Sequence, residues 1–163
     1  MALASNKKVL ICRFDRESLQ GFVQTPGGLE TDPIELMRPE GSIVRIPAGE
    51  TKLVCFVRDF EAGESWRDHR SFVSRPKSAG LWVRFQFRDG DWLEGLLPNN
   101  LLHIESAGFS SIPPDPTYQN QRVFIPRPAL SGVEVLGVIG SPLHRRAKKP
   151  AKPAGEGQLE MFD

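Results

Sequence analysis

The residues best suited to chemistry in this 163-residue chain lie in its last stretch, GQLEMFD. Leu159, Met161 and Phe162 are large apolar groups carried behind HRRAKKPAKPAGEG, a run with no large apolar side chain to pack against. Such groups need a pocket on a partner, and the Gln158 amide can both donate and accept at its rim. Arg145, Arg146, Lys148, Lys149 and Lys152 precede them and would add a salt-dependent contact to nucleic-acid phosphates. Elsewhere the reactive types are scattered. His69, His103 and His144 have no second ligand at metal spacing. Cys12 and Cys55 are no CxxC pair and sit in apolar runs, as buried structural thiols do. A phosphate loop, a GxSxG elbow and an HExxH helix are all missing from the sequence. No catalytic, cofactor-binding or metal residue is therefore assigned, and a non-enzymatic role is expected. Aromatics interleave with arginines at Phe56, Arg58, Phe60, Trp66 and Arg67, and again at Trp82, Arg84 and Phe85. That pattern suits either base stacking or a β core with solvated arginines between its strands, and the core reading is the one adopted.

The elements that would carry these residues are strands. Lys8–Phe14 is β-branched and aromatic, and Leu81–Phe87 alternates apolar with polar. Further strands are predicted at Leu19–Gln24, Ile34–Met37, Ile43–Ile46, Lys52–Val57, Trp92–Leu97, Leu101–Glu105, Arg122–Ile125 and Gly132–Val138. Turn residues such as Asp89-Gly90 and Pro98–Asn100 separate them. The 15 glycines and 14 prolines favour many short strands over long helices. No apolar run approaches the roughly 20 residues of a membrane-spanning helix, so no membrane partner is expected. Two cysteines are too few for a disulfide scaffold, which makes a reducing cytoplasm the expected compartment.

The halves resemble each other. Val9, Asp15, Leu19 and Gly21 fall on Val83, Asp89, Leu93 and Gly95, and Val44, Ile46 and Pro47 fall on Val123, Ile125 and Pro126. A tandem duplication with about five strands per unit is predicted. The expected organisation is a first β unit over 7–58, a connector over 59–80, a second unit over 81–140 and a disordered basic tail over 141–163. Gly21 and Gly95 would permit a sharp mid-strand bend or a close backbone approach. Asp89-Gly90 suits a tight hairpin, whereas Asp15-Arg16 predicts a different turn or a bulge.

The string QFRDGDWLEG resembles the opening of Sm-like barrels, with a strand, a DG turn and a mid-strand glycine. Their Arg-Gly pair has no counterpart, so no RNA-binding residue carries over. LVCFVRDFEAG, QFRDGDWLEG and NQRVFIP together resemble an uncharacterised bacterial family of small β domains. Arg84 and Arg88 have the RxxxR spacing of PilZ cyclic-dinucleotide receptors, but Asp89-Gly90-Asp91 lacks the serine of their second motif. Gln158, Leu159, Glu160, Met161 and Phe162 resemble the pentapeptide by which bacterial proteins dock on the β sliding clamp. The expected fold is all-β, two tandem SH3-like or Sm-like barrels with a tail. The expected function is a cytoplasmic adaptor on the β sliding clamp, with the barrels contacting DNA or a second protein. The alternatives are a regulatory small-ligand module with an incidental tail and a nucleic-acid-binding Sm-like protein.

Overall fold

The computed structural model describes residues 5–114 and 120–140. The tail residues singled out above, Arg145, Arg146, Lys148, Lys149, Lys152, Gln158, Leu159, Met161 and Phe162, lie outside the described residues, as does His144. The described chain is all-β. The first half carries β1 (Ser5–Arg13), β2 (Leu19–Thr25), β3 (Ile34–Met37), β4 (Ile43–Ile46) and β5 (Thr51–Val57). The second carries β6 (Gly80–Phe87), β7 (Trp92–Leu97), β8 (Gly108–Ser111), β9 (Asn120–Pro126) and β10 (Leu130–Ile139).

The strand expected at Leu101–Glu105 is the exception. Leu101–His103 forms a single 3-10 turn instead, because the Asn100 side chain caps it by accepting from the Leu102 amide at 3.0 Å. The eighth strand, Gly108–Ser111, has no β-branched residue to announce it and is set by pairing with β9.

All ladders are antiparallel and form two sheets, β4-β3-β2-β1-β5-β9-β8 and β10-β6-β7. A bridge with two 3.0 Å backbone bonds between Leu96 and Ile112 joins β7 to β8. Each half then runs in one order: fifth strand, first, second, third, fourth. In each, a 3-10 turn separates the fourth strand from the fifth, at Ala48–Glu50 and Arg127–Ala129. The mid-strand glycines also occupy matching registers, Val9 opposite Gly21 and Val83 opposite Gly95. Among the described residues no ladder closes either half into a barrel. The halves are instead stitched together by β5 against β9.

That stitch explains why β1 and β5 read as continuous apolar runs rather than alternating ones. Val9 and Ile11 face a core with Val23, Ile34, Leu36, Ile46, Val54 and Phe124. Leu10, Cys12, Leu53 and Cys55 face the opposite way, into a core with Trp66, Val83, Phe85, Phe87, Leu93 and Ile125. Both faces of these strands are therefore buried. The Asp89-Gly90 turn is tight as expected, with Gly90 at φ 92° and its amide on the Phe87 carbonyl at 3.0 Å. The β1–β2 connection is longer, and the β1–β5 register shifts between Cys12 and Arg13.

Gly21 and Gly95 earn their places by close approach. A Cβ on Gly21 would run into the Met37 carbonyl and the Leu36 side chain, and one on Gly95 into Ser111 Oγ and the Phe85 ring. Gly49 faces open space. Gly21→Ala and Gly95→Ala should each lower unfolding free energy by about 1–3 kcal/mol in urea titrations, as overpacking does. Gly49→Ala should change it little.

Candidate functional site

The most heavily charged interior point lies where three segments meet. Lys52 on β5 has a side chain only 5% exposed, and its Nζ donates to carboxylates of Asp89 and Asp91 at 2.8 Å each. The ammonium also faces the rings of Phe87, Trp66 and Phe14, at 5.2, 5.4 and 5.8 Å. Arg70 pairs with Asp91 and donates to the Trp92 carbonyl at 3.1 Å. Burial works against the charged form of Asp91, but the Lys52 ammonium and the Arg70 guanidinium outweigh it and hold its pKa down to about 2. Asp89 is lowered in the same way, its burial being outweighed by Lys52 and the Asp91 amide. This constellation is a structural clasp between the first half, the second half and the segment between them.

The interleaved aromatics and arginines separate into different environments. Trp66 and Phe85 are buried in the core. Phe56 lies beneath Arg122, and Phe60 sits edge-on to Phe22 beneath Lys8. Arg67 is exposed and covers Trp66 at 4.5 Å, and Arg58 is exposed. Trp82 and Trp92 are half-buried, and Arg84 lies over Trp92 at 5.1 Å while pairing with Glu94 at 3.3 Å. The buried Glu94 accepts from Trp82 Nε1 and the Phe72 amide at 3.1 Å each, which fastens the connecting segment to β7. Arg88 lies over Phe14 at 4.0 Å and donates to the carbonyls of Gly49 and Pro128. Both arginines of the RxxxR spacing are thus engaged within the fold.

Cys12 and Cys55 are buried, unbridged thiols on adjacent strands facing the same core. The Cys55 thiol holds Cys12 below its ordinary pKa, against the effect of burial. His69 is half-buried and His103 exposed. Among the described residues no three metal-ligating side chains gather, and no helix is long and apolar enough to cross a membrane.

The described surface carries several hollows. One, about 760 Å³, lies against β2–β4 with Phe22, Met37 and Ile43 as apolar lining and Gln24, Glu35 and Arg45 as polar. A second, about 440 Å³, is lined by Leu96, Leu97, Pro98, Ile112, Glu105 and Arg122. Its wall also includes His103, whose neighbours Leu101 and Leu102 are 83% and 91% exposed. A third, about 320 Å³, shares Glu105, Ser110 and Arg122 with the second and reaches Leu29 and Phe56 of the first half. The second and third together make a trough over the β5–β9 seam. The trough is not evident from sequence because Leu101 and Leu102 have strand-like composition, although Pro98-Asn99-Asn100 is a signal for a capped turn.

The chain matches the model of a family of unknown function, DUF6982, over residues 5–137, and it belongs to that family. No curated protein and no solved structure matches it.

The clasp has a pH signature. A carboxyl held below its unfolded value stabilises the fold above about pH 4 and loses that contribution as pH falls toward 2. Melting temperature of the wild type should therefore drop between about pH 4 and 2. Asp91→Asn should melt lower at neutral pH and show a shallower fall over that window. Lys52→Met, which leaves the half-buried Asp91 and the exposed Asp89 without their cation, should cost about 1–3 kcal/mol at pH 7 in urea titrations.

Proposed function

We propose that this member of the family is a non-enzymatic binding module that docks on the bacterial β sliding clamp through Gln158, Leu159, Met161 and Phe162. The observation that carries the reading is the Gln-Leu-x-Met-Phe pattern itself, placed after a stretch with no large apolar residue. Extended peptides of this kind bind through a few anchors, with the intervening chain as tether. From His144 to Gly157 the proposed tether has 14 residues, a length for which a flexible chain would span roughly 20 Å. Arg145, Arg146, Lys148, Lys149 and Lys152 would touch DNA phosphates near the docked peptide. The body is read as two tandem SH3-like or Sm-like units, supported by the shared strand order, the matching 3-10 turns and the paired glycine registers. Its trough beside Leu101 and Leu102 suits a second protein, since exposed apolar groups around a groove favour burial on association. The module would work in the cytoplasm, beside the replication or repair machinery.

Calorimetric titration of the full chain onto purified clamp should give a micromolar Kd. Phe162→Ala should weaken it by about 100-fold, the loss typical of a buried aromatic anchor. Undiminished binding by the variant, or no binding by either protein, refutes the docking.

A further inference from the structure

We infer that the chain assembles head to tail with copies of itself, β10 of one copy adding to β4 of the next. The halves are joined inside the chain by the fifth strand of the first and the fourth strand of the second, with Val54 opposite Phe124, Cys55 opposite Val123 and Phe56 opposite Arg122. The two counterparts in that arrangement are the fifth strand of the second half, β10, and the fourth strand of the first, β4. Among the described residues both are outermost in their sheets. Each therefore presents a row of backbone donors and acceptors that no described strand pairs.

The internal seam supplies a register for the external one. Superposing the turn Ala48–Glu50 on Arg127–Ala129 shifts the first half by 79 residues. Under that shift Val54, Cys55 and Phe56 become Val133, Glu134 and Val135, while Phe124, Val123 and Arg122 become Arg45, Val44 and Ile43. Val135 of one copy then stands opposite Ile43 of the next. These side chains are 58% and 52% exposed, and the ladder would cover both. Val133 of one copy stands opposite Arg45 of the next, whose aliphatic stem can cover it while its head keeps an exposed ion pair with Glu35. The β10 strand, LSGVEVLGVI, carries no lysine, arginine or proline to discourage pairing.

A second copy fits better than a foreign strand because both halves of the contact exist on this chain, in the geometry already used once. Two different strands meet, so the contact is heterologous and adds copies in line until a ring closes or a filament grows. The contact is also weaker than the internal seam. Leu10, Cys12 and Cys55, buried on the outer face of the first half, correspond to Arg84, Gln86 and Glu134 in the second, which are half-buried or exposed. Association is then a concentration-dependent equilibrium with a Kd of about 10–100 µM. This inference does not rest on the tail peptide.

The experiment is sedimentation equilibrium on the full chain with two blocked edges. Wild type should gain mass with concentration, and Val135→Lys or Ile43→Lys alone should stay monomeric with unchanged circular dichroism. An equimolar mixture of the two should form a one-to-one dimer that grows no further, because one good β10 and one good β4 remain. A second route, if either lysine variant unfolds, is Val135→Glu with Ile43→Glu: each alone should stay monomeric, and their mixture should form the same one-to-one dimer. A wild type that is monomeric to about 1 mM, far above that Kd, overturns the inference. So does a mixture that fails to dimerise. Dimers of Ile43→Lys alone, with none of Val135→Lys, would mean β10 pairs with β10 and would overturn it too.

Discussion

One buried ammonium constrains the whole molecule. Lys52 comes from the first half, its two acids from the β6–β7 turn of the second, and the indole above it from the segment between. A charge so enclosed is stable only when every partner is in place, because an unpaired ion in that environment costs several kcal/mol. The Asp89-Gly90-Asp91 turn is therefore more than hairpin chemistry: Gly90 makes the bend while the flanking carboxylates are aimed at Lys52. Parting the halves would strand that cation and also uncover Leu10, Cys12, Leu53 and Cys55. The two halves therefore form one cooperative unit rather than beads on a string.

The same constraint accounts for how the halves differ despite a common strand order. Outward positions on β1 and β5 are apolar because sheet β10-β6-β7 covers them. The matching positions of the second half are Arg84, Gln86 and Glu134, which the described residues do not cover to the same degree. Polarity at each pair of matching sites thus follows which half has a neighbour. Glu94 repeats the logic of Lys52 with the sign reversed, a buried carboxylate whose donors come from Trp82, Arg84 and the Phe72 amide.

Much of this was readable in the residues. Alternation marked β6, and turn chemistry marked its boundary with β7. Gly21 and Gly95 stood out by spacing, and both are crowded, Gly21 by the Met37 carbonyl as a close backbone approach implies and Gly95 by the side chains of Ser111 and Phe85. Other features were not readable, for definite reasons. Lys52 stands next to LVCFV and resembles any solvated strand lysine, and its acids lie 37 and 39 residues away, beyond any local pattern. Trp66 read as a core aromatic and is buried, but that its indole would face Lys52 was not legible from its polar neighbours. Leu101 and Leu102 have strand-like composition, but the Asn100 side chain offered a competing local hydrogen bond and turned the backbone. The tail residues lie outside the described coordinates, and the reading of Gln158 to Phe162 rests on sequence alone.

The proposed hook would engage its pocket through only three apolar side chains, so one copy would dissociate readily. The inferred strand addition between β10 and β4 would change that arithmetic without adding a contact to the hook. Each copy brought into line carries another tail, and once one tail is bound the next binds from an effective concentration set by its tether rather than from bulk solution. The gain is large only while the tether spans the distance between neighbouring sites. A tether spanning roughly 20 Å fits sites separated by about the width of one small domain. The weakness of the inferred edge contact would then be the control: assembly, and with it multivalent grip, would follow local concentration rather than folding.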